Sequence, residues 1–138
     1  MRVIIVGAGE VGSHIAASLA DDHEVILVDI DPEIIKELAY STDVLTTEGD
    51  GTTAETLQEA GIAKTELLVA STDDDRTNLI TCMTAKTAGD IFAIARVRGA
   101  KFYDTWTQSN GAFDVDFMVS TDLVTAEKVV RILGFPSA

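Results

Sequence analysis

Cysteine is nearly absent from this chain, which has 138 residues and one cysteine, Cys82. A single cysteine excludes a disulfide within the chain and fits a reducing cytoplasm. The chain has two histidines, and no group of Cys and His residues shows the close spacing of a metal site. We therefore expect a cytoplasmic protein without a metal centre.

Basic residues are also scarce. Lys and Arg total 10 against 23 Asp and Glu, which gives a formal net charge of −13 at pH 7. Such a charge repels nucleic-acid backbones and anionic membrane surfaces, so we expect no nucleic acid as a partner. Because Lys is scarce while acids are abundant, adaptation to a cytoplasm of very high salt is favoured over ordinary surface solubility.

Long apolar runs are missing too. None approaches the roughly 20 residues that span a bilayer, so we expect no direct insertion into a membrane. Hydrophobic residues still make up 46% of the chain, which is enough for a core. The length fits one domain, and we predict a single domain over residues 1–138.

Short apolar runs alternate with helix-like stretches along the chain. The predicted strands are Val3–Val6, Glu24–Asp29, Val44–Glu48, Leu67–Ala70, Phe92–Arg96 and Phe117–Ser120. The predicted helices are Val11–Ala20, Pro32–Tyr40, a helix from a capping box at Thr52–Glu55 to Ala60, Asp74–Thr87, Lys101–Gln108 and Asp122–Leu133. Strands that are apolar on both faces and separated by helices indicate an α/β fold with a doubly wound parallel six-stranded sheet of the Rossmann type.

A glycine-rich loop follows the first predicted strand and opens the first helix. Its sequence, Gly-Ala-Gly-Glu-Val-Gly over Gly7–Gly12, matches the dinucleotide fingerprint in the context that the mechanism requires. Gly7 permits a tight turn, Gly9 permits close approach to a pyrophosphate, and Gly12 permits helix–sheet packing. The helix N-terminus adds free N–H groups and a positive dipole. This loop predicts a phosphate-binding site.

Asp29 ends the second predicted strand, about 20 residues after Gly9, where an acid binds the ribose hydroxyls of adenosine. The same carboxylate would repel a 2′-phosphate, which favours NAD over NADP. Glu10 opposes a third phosphate and favours NAD, NADH or ADP over ATP. We therefore expect NAD or NADH as the ligand, with ADP or ATP as alternatives.

Three later strand ends should also face this ligand, because ligands lie beyond the carboxyl ends of parallel strands. We expect Gly49–Thr52 on the adenine side, where a turn with a helix cap is an equally good interpretation. Thr72 and Asp73 are candidates for the distal ribose or nicotinamide. Arg96 is a candidate for a phosphate or a subunit boundary.

No catalytic group is apparent. Tyr40 and Tyr103 lack the Lys four residues later that short-chain dehydrogenases require, because Val44 and Thr107 stand there. Cys82 lies among apolar residues and is predicted to be core. We predict no catalytic residue and no enzymatic activity.

With these residues, the chain resembles the N-terminal domain of the TrkA family, the RCK-type regulators of potassium uptake systems and channels. The two blocks that general Rossmann domains lack, Thr-Asp…Asn and Ala-Arg-x-Arg, make the resemblance specific. The five matching blocks are Val3–Gly12, Val28–Asp31, Gly49–Thr52, Ser71–Asn78 and Ile94–Arg98.

The resemblance implies a nucleotide site. In the family, the glycine loop holds the pyrophosphate, the acid holds the adenosine ribose, and the Thr-Asp pair and the first Arg complete the pocket. Ile30, Asp50 and Asn78 stand in matching blocks. The implied binding residues are Gly7, Ala8, Gly9, Glu10, Val11, Gly12, Asp29, Ile30, Asp50, Thr72, Asp73, Asn78 and Arg96.

The resemblance also implies a cytoplasmic regulator at the inner face of the cell membrane. It would form a homodimer or a higher ring and would bind NAD(H) to gate or modulate a membrane potassium transporter or channel subunit. Family members commonly continue into a smaller C-terminal domain, so we expect either one piece of such a regulator or a stand-alone subunit. The main alternative is the cofactor domain of an NAD-dependent dehydrogenase, and a domain for S-adenosylmethionine is a weaker one.

Overall fold

Six short strands form one all-parallel sheet in the computed structural model, which describes residues 1–120 and Arg131. The sheet order is 3-2-1-4-5-6, and each pair of neighbours is parallel. This order confirms the predicted doubly wound fold. The strands are β1 (Arg2–Val6), β2 (Glu24–Asp29), β3 (Leu45–Glu48), β4 (Leu67–Ala70), β5 (Phe92–Val97) and β6 (Phe117–Ser120).

Helices fill the crossovers between these strands. They are α1 (Glu10–Leu19), α2 (Pro32–Ser41), α3 (Ala54–Glu59), α4 (Asp75–Lys86) and α5 (Ala100–Gln108), with single 3-10 turns at Ile62–Lys64 and Ala112–Asp114. The predicted last helix, Asp122–Leu133, lies outside the described residues, apart from Arg131. None of the helices within residues 1–120 is long and apolar enough to cross a membrane.

Two apolar layers cover the two faces of the sheet. Because side chains alternate along a strand, β1 places Ile4 and Val6 in one layer and Val3 and Ile5 in the other. The α1 helix packs on the second layer, while α3 and α4 pack on the first. With both faces covered, the carboxyl edge of the sheet is left for a ligand.

The strand boundaries follow the apolar runs closely. Three predicted strands, β2, β4 and β6, are confirmed to the residue. The β1 strand begins one residue early because Arg2 pairs with Glu24, and β5 extends by one because Val97 pairs with Ser120. The β3 strand begins one residue later than predicted, because its pairing with β2 starts at Leu45, opposite Ile26. The differences therefore come from pairing with a neighbouring strand, which a local pattern does not contain.

Local capping explains most helix ends. Asp31 caps α2 by accepting from the Glu33 N–H at 2.9 Å, and Gly61 ends the α3 region with φ +89°. The predicted capping box is wrong by one residue, because Thr53, not Thr52, caps α3. The hydroxyl and N–H of Thr52 both donate to Asp50 Oδ1 instead. The Thr52 hydroxyl is therefore engaged by Asp50 and does not cap the helix.

Candidate functional site

A cleft of about 420 Å³ opens at the carboxyl edge of the sheet, at the switch point between β1 and β4. It is bounded by the ends of β1 and β2, by the loop after β3, and by the start of α4. Eight of the predicted site residues line it: Gly7, Asp29, Ile30, Gly49, Asp50, Gly51, Thr52 and Thr72. The structure therefore brings together residues from four separate chain segments.

The glycine turn after β1 leaves no room for a side chain at two of its three glycines. Gly7 has φ +105°, and a Cβ there would lie 2.7 Å from the Ser71 carbonyl carbon and from the Thr72 nitrogen. A Cβ on Gly12 would lie 1.8 Å from the Gly7 carbonyl oxygen. A Cβ on Gly9, in contrast, would meet no atom of the described residues within 4 Å. Gly7 and Gly12 serve packing, while Gly9 leaves open space in front of the loop.

The Asp29 carboxylate ties this turn to β2. Its Oδ2 accepts from the Ala8 N–H at 2.8 Å, and its Oδ1 accepts from the Asp31 N–H at 2.9 Å. A carboxylate offers about four lone-pair positions, so about two remain for a ligand. Since Asp29 also lines the cleft, it is able to accept further hydrogen bonds there.

The loop after β3 forms a second wall. Gly51 is buried against β1, and a Cβ there would lie 2.3 Å from Val6 Cγ1. The Thr84 hydroxyl donates to the Thr52 carbonyl at 3.0 Å and ties the loop to α4. Asp50 lines the cleft and shapes this loop through its bonds to Thr52.

The start of α4 carries a buried network beside the cleft. Asn78, which is 0% exposed, accepts at Oδ1 from the Thr72 N–H and hydroxyl at 2.8 and 2.7 Å. Its Nδ2 donates to the Arg96 carbonyl at 2.7 Å and to the Thr72 carbonyl at 3.1 Å. Asn78 thus joins the ends of β4 and β5, and it does not line the cleft.

Arg96 is buried in the same network, at 8% exposure. Burial lowers the pKa of Arg96, the Asp73 carboxylate at 3.7 Å raises it, and Arg98 lowers it. An arginine nevertheless keeps its proton in a protein. The exposed Asp73 carboxylate lies closer to Arg98, at 2.8 Å from its Nη2. Neither Asp73 nor Arg96 lines the cleft.

The other predicted residues belong to the glycine turn and the first turn of α1. Ala8 is buried, Gly9 and Glu10 are exposed, and Val11 and Gly12 lie inside the helix. Among residues 1–120, no side chain caps α1, whereas Asp31, Thr53 and Asp74 cap α2, α3 and α4.

Four cleft residues were not among the predicted site positions: Val6, Val28, Thr77 and Ile80. Ile80 is 45% exposed, although it lies two residues from the buried Cys82. The buried face of α4 carries Leu79, Cys82 and Ala85, and helical periodicity turns Ile80 away from it. The position of Ile80 between Leu79 and Cys82, off the apolar face of the helix, was the sequence signal that could have identified it.

Cys82 is fully buried, as predicted. Desolvation, reinforced by Asp116 and opposed by Lys86, raises the pKa of its thiol to about 12. A thiolate is therefore strongly disfavoured. Among residues 1–120, no group of three or more His, Cys, Asp or Glu side chains is placed to hold a metal ion.

Comparison with known proteins gives one family. A family model described as the TrkA-N domain matches residues 3–120. The chain is 39% identical, over 145 residues, to the Trk system potassium uptake protein trkA homolog 1 of Methanosarcina mazei, covering 100% of this chain and 35% of that protein. The chain therefore spans about a third of the length of that relative.

Solved structures give the same fold. A GsuK structure bound to ADP superposes with a TM-score of 0.70 at 28% identity, over 96% of this chain and 32% of that chain. The TrkA-N domain of the inner membrane protein ybaL from Escherichia coli superposes with a TM-score of 0.77 at 19% identity, over 96% and 93% of the two chains. At that identity the second match supports the fold alone.

Proposed function

This chain belongs to the TrkA-N domain family, and from that premise we propose that it binds an adenine nucleotide and regulates a membrane potassium transporter or channel. NAD or NADH is the proposed ligand, with ADP or ATP as alternatives. The observation that carries the proposal is the Asp29 carboxylate, which lines the cleft with lone pairs to spare. Those lone pairs suit the two hydroxyls of an adenosine ribose.

The glycine turn supports a phosphate subsite next to Asp29. Within the part of the chain that the structure describes, nothing fills the space in front of Gly9 and no side chain caps the N-terminus of α1. Uncapped N–H groups and the helix dipole both favour an anion at this position. We propose that Gly7–Gly12 hold the pyrophosphate.

Apolar side chains support an adenine subsite on the other side of Asp29. Ile30 is 67% exposed and Ile80 is 45% exposed, and both line the cleft. Exposed apolar side chains in a cleft favour a flat apolar ligand group. We propose that Ile30, Ile80, Thr77 and Asp50 surround the base.

Charge supports the choice among nucleotides. Asp29 is followed by Ile30 and Asp31, neither of which is a cation that could hold a 2′-phosphate, so NAD is favoured over NADP. Glu10 is exposed at the start of α1 and disfavours a third phosphate. Repulsion of a 2′-phosphate by Asp29 and repulsion of a third phosphate by Glu10 both weaken with salt.

The role in potassium transport is proposed from the family. The Methanosarcina mazei relative is a Trk system potassium uptake protein, and GsuK has been solved with ADP. We propose that residues 1–138 act as one domain of a cytoplasmic assembly, a homodimer or a higher ring, at the inner face of the membrane. We also propose that the nucleotide is a signal and is not chemically changed.

Calorimetric titration with NAD, NADH, NADP, ADP and ATP in high KCl tests the binding proposal. We expect saturable binding of NAD or NADH at one site per chain, with weaker binding of NADP and ATP. Asp29→Asn should lower the affinity, while Asp31→Asn, which makes the same charge change, should not. Failure of all five nucleotides to bind would refute the proposal, and turnover of NADH with a carbonyl substrate would favour the dehydrogenase alternative.

A further inference from the structure

Every polar group of Thr72 is used inside the protein. Its N–H and hydroxyl donate to Asn78 Oδ1, and its carbonyl accepts from Asn78 Nδ2 at 3.1 Å and from Arg96 Nη2 at 3.0 Å. Thr72 also lines the cleft. One wall of the cleft is therefore a residue whose position is set by two buried side chains behind it.

Arg96 holds the same segment at a second residue. Its Nε donates to Ser71 Oγ at 3.0 Å, and its Nη2 donates to the Ser71 carbonyl at 3.3 Å. Ser71 is itself 2% exposed, and its N–H donates to the Val6 carbonyl at 2.7 Å. The planar guanidinium thus bridges two consecutive residues, which a single ammonium group would match poorly.

The Ser71–Thr72 segment packs directly against the glycine turn. The place where a Gly7 Cβ would stand is 2.7 Å from Ser71 and Thr72 backbone atoms, so the two segments touch without intervening space. Gly7 is followed by Ala8, whose N–H donates to Asp29. Contact therefore runs without a gap from Arg96 and Asn78, through Ser71–Thr72, to the turn that leads to the ribose-binding acid.

We propose that Arg96 and Asn78 are positioning residues, which fix the position of the glycine turn beside the cleft by holding the Ser71–Thr72 backbone in place. This proposal rests on the proposed function only for the nature of the ligand. The hydrogen bonds of the clamp all join groups of the protein. It gives the Thr-Asp…Asn and Ala-Arg-x-Arg blocks one shared physical role, which is to join β4 to β5 behind the site.

Arg98 provides a matched control within the same block. Its side chain is 59% exposed and pairs with the 87% exposed carboxylate of Asp73. It carries the same charge as Arg96 and lies two residues away. A general effect of losing one positive charge near the site would appear in Arg98→Gln as well as in Arg96→Gln.

Amide hydrogen exchange of the ligand-free chain tests the clamp directly. In Arg96→Gln we expect the Thr72 and Ala8 amides to exchange about tenfold faster, the scale of one lost hydrogen bond to a charged group. The Leu27 amide in the central strand β2 should not change, and Arg98→Gln should match the wild type. Ser71→Ala removes one acceptor of Arg96 and should give a smaller change of the same kind, even if Arg96→Gln fails to fold.

Nucleotide titration of the same variants completes the test. We expect Arg96→Gln and Arg96→Lys to weaken NAD binding alike, by about tenfold, because lysine keeps the charge and loses the planar fork. Unchanged Thr72 and Ala8 exchange, with affinity retained in Arg96→Lys, would overturn the proposal in favour of direct phosphate contact. Faster exchange at Leu27 to the same extent would overturn it in favour of general stability. No nucleotide binding by the wild type would refute the proposed function, while the exchange pattern would still report on the clamp.

Discussion

The two sides of the carboxyl edge carry similar polar residues and use them differently. Around β1 and β2, Asp29 lines the cleft and keeps lone pairs that no group within residues 1–120 occupies. Around β4 and β5, Asn78 and Arg96 are buried and bonded to the backbone of Ser71 and Thr72. Asp29 therefore has hydrogen-bonding capacity that faces the cleft, while Asn78 and Arg96 use theirs to hold the backbone beside it.

This difference shows that a polar residue at a strand end is not by itself a ligand-binding residue. Asp29 is the last residue of β2, and Arg96 is the second-last residue of β5. Both therefore lie at the carboxyl edge of one parallel sheet. The two residues differ in whether nearby segments of the same chain already satisfy their hydrogen bonds. Buried polar groups are almost always hydrogen-bonded within the protein, so a buried polar residue usually stabilises the fold.

The largest effect should come from Gly12→Ala, which tests whether the glycine turn is packed as tightly as its geometry indicates. The new Cβ would stand 1.8 Å from the Gly7 carbonyl oxygen, so the backbone must move. We expect a loss of about 3 kcal/mol in the free energy of unfolding, measured by denaturant titration. Gly9→Ala is the control, and equal destabilisation by both variants would contradict this account.

Next in size is the loss of nucleotide affinity in Asp29→Asn. An amide replaces the carboxylate, so a charged acceptor is lost in the cleft and one backbone N–H loses its partner. We expect a loss of about 2 kcal/mol, or about thirtyfold in Kd for NAD, by calorimetry. NADP should lose less, because the repulsion of its 2′-phosphate is relieved as well. A uniform loss for both nucleotides would place the ribose elsewhere.

A smaller effect is expected from Ile80→Ala, which tests whether the exposed apolar side chain in the cleft touches the base. Removing the apolar contact should weaken binding of NAD and ADP alike by about 1 kcal/mol, or about fivefold. Met83 lies on the same helix, is 39% exposed and does not line the cleft, so Met83→Ala is the matched control. Equal effects of the two variants would show that the base does not lie against Ile80.

The smallest effect should come from Arg98→Gln. The Arg98–Asp73 pair is solvent-exposed on both sides, so its net contribution is small. We expect a change below about 0.5 kcal/mol in the free energy of unfolding, which should vanish in high KCl. A larger loss that persists in high KCl would contradict this account of an exposed ion pair.

Most of the fold could be predicted because the apolar runs are short, continuous and separated by helical patterns. Such runs at β2, β4 and β6 gave the strand boundaries to the residue. The predicted box at Thr52–Glu55 failed because Asp50 competes for Thr52, a local contact that simple spacing rules do not weigh.

The site was predicted in part. Gly7 and Asp29 belong to a motif whose spacing has a mechanical reason, and both line the cleft. Thr77 and Ile80 were missed because they enter the cleft from one face of α4, and which face that is depends on how the helix packs. Ligand contact by the predicted residues stays a prediction until a nucleotide is titrated.

The sequence by itself determined the order of strands and helices, the parallel sheet and the glycine turn, because apolar periodicity and backbone sterics act over a few residues. Only the tertiary structure decided the different roles of Asp29, Asn78 and Arg96. Burial and hydrogen-bond partners come from segments far apart in the chain: Arg96 meets Ser71 and Thr72, and Asp29 meets Ala8. A polar residue binds a ligand only where those distant partners leave its hydrogen-bonding capacity unused.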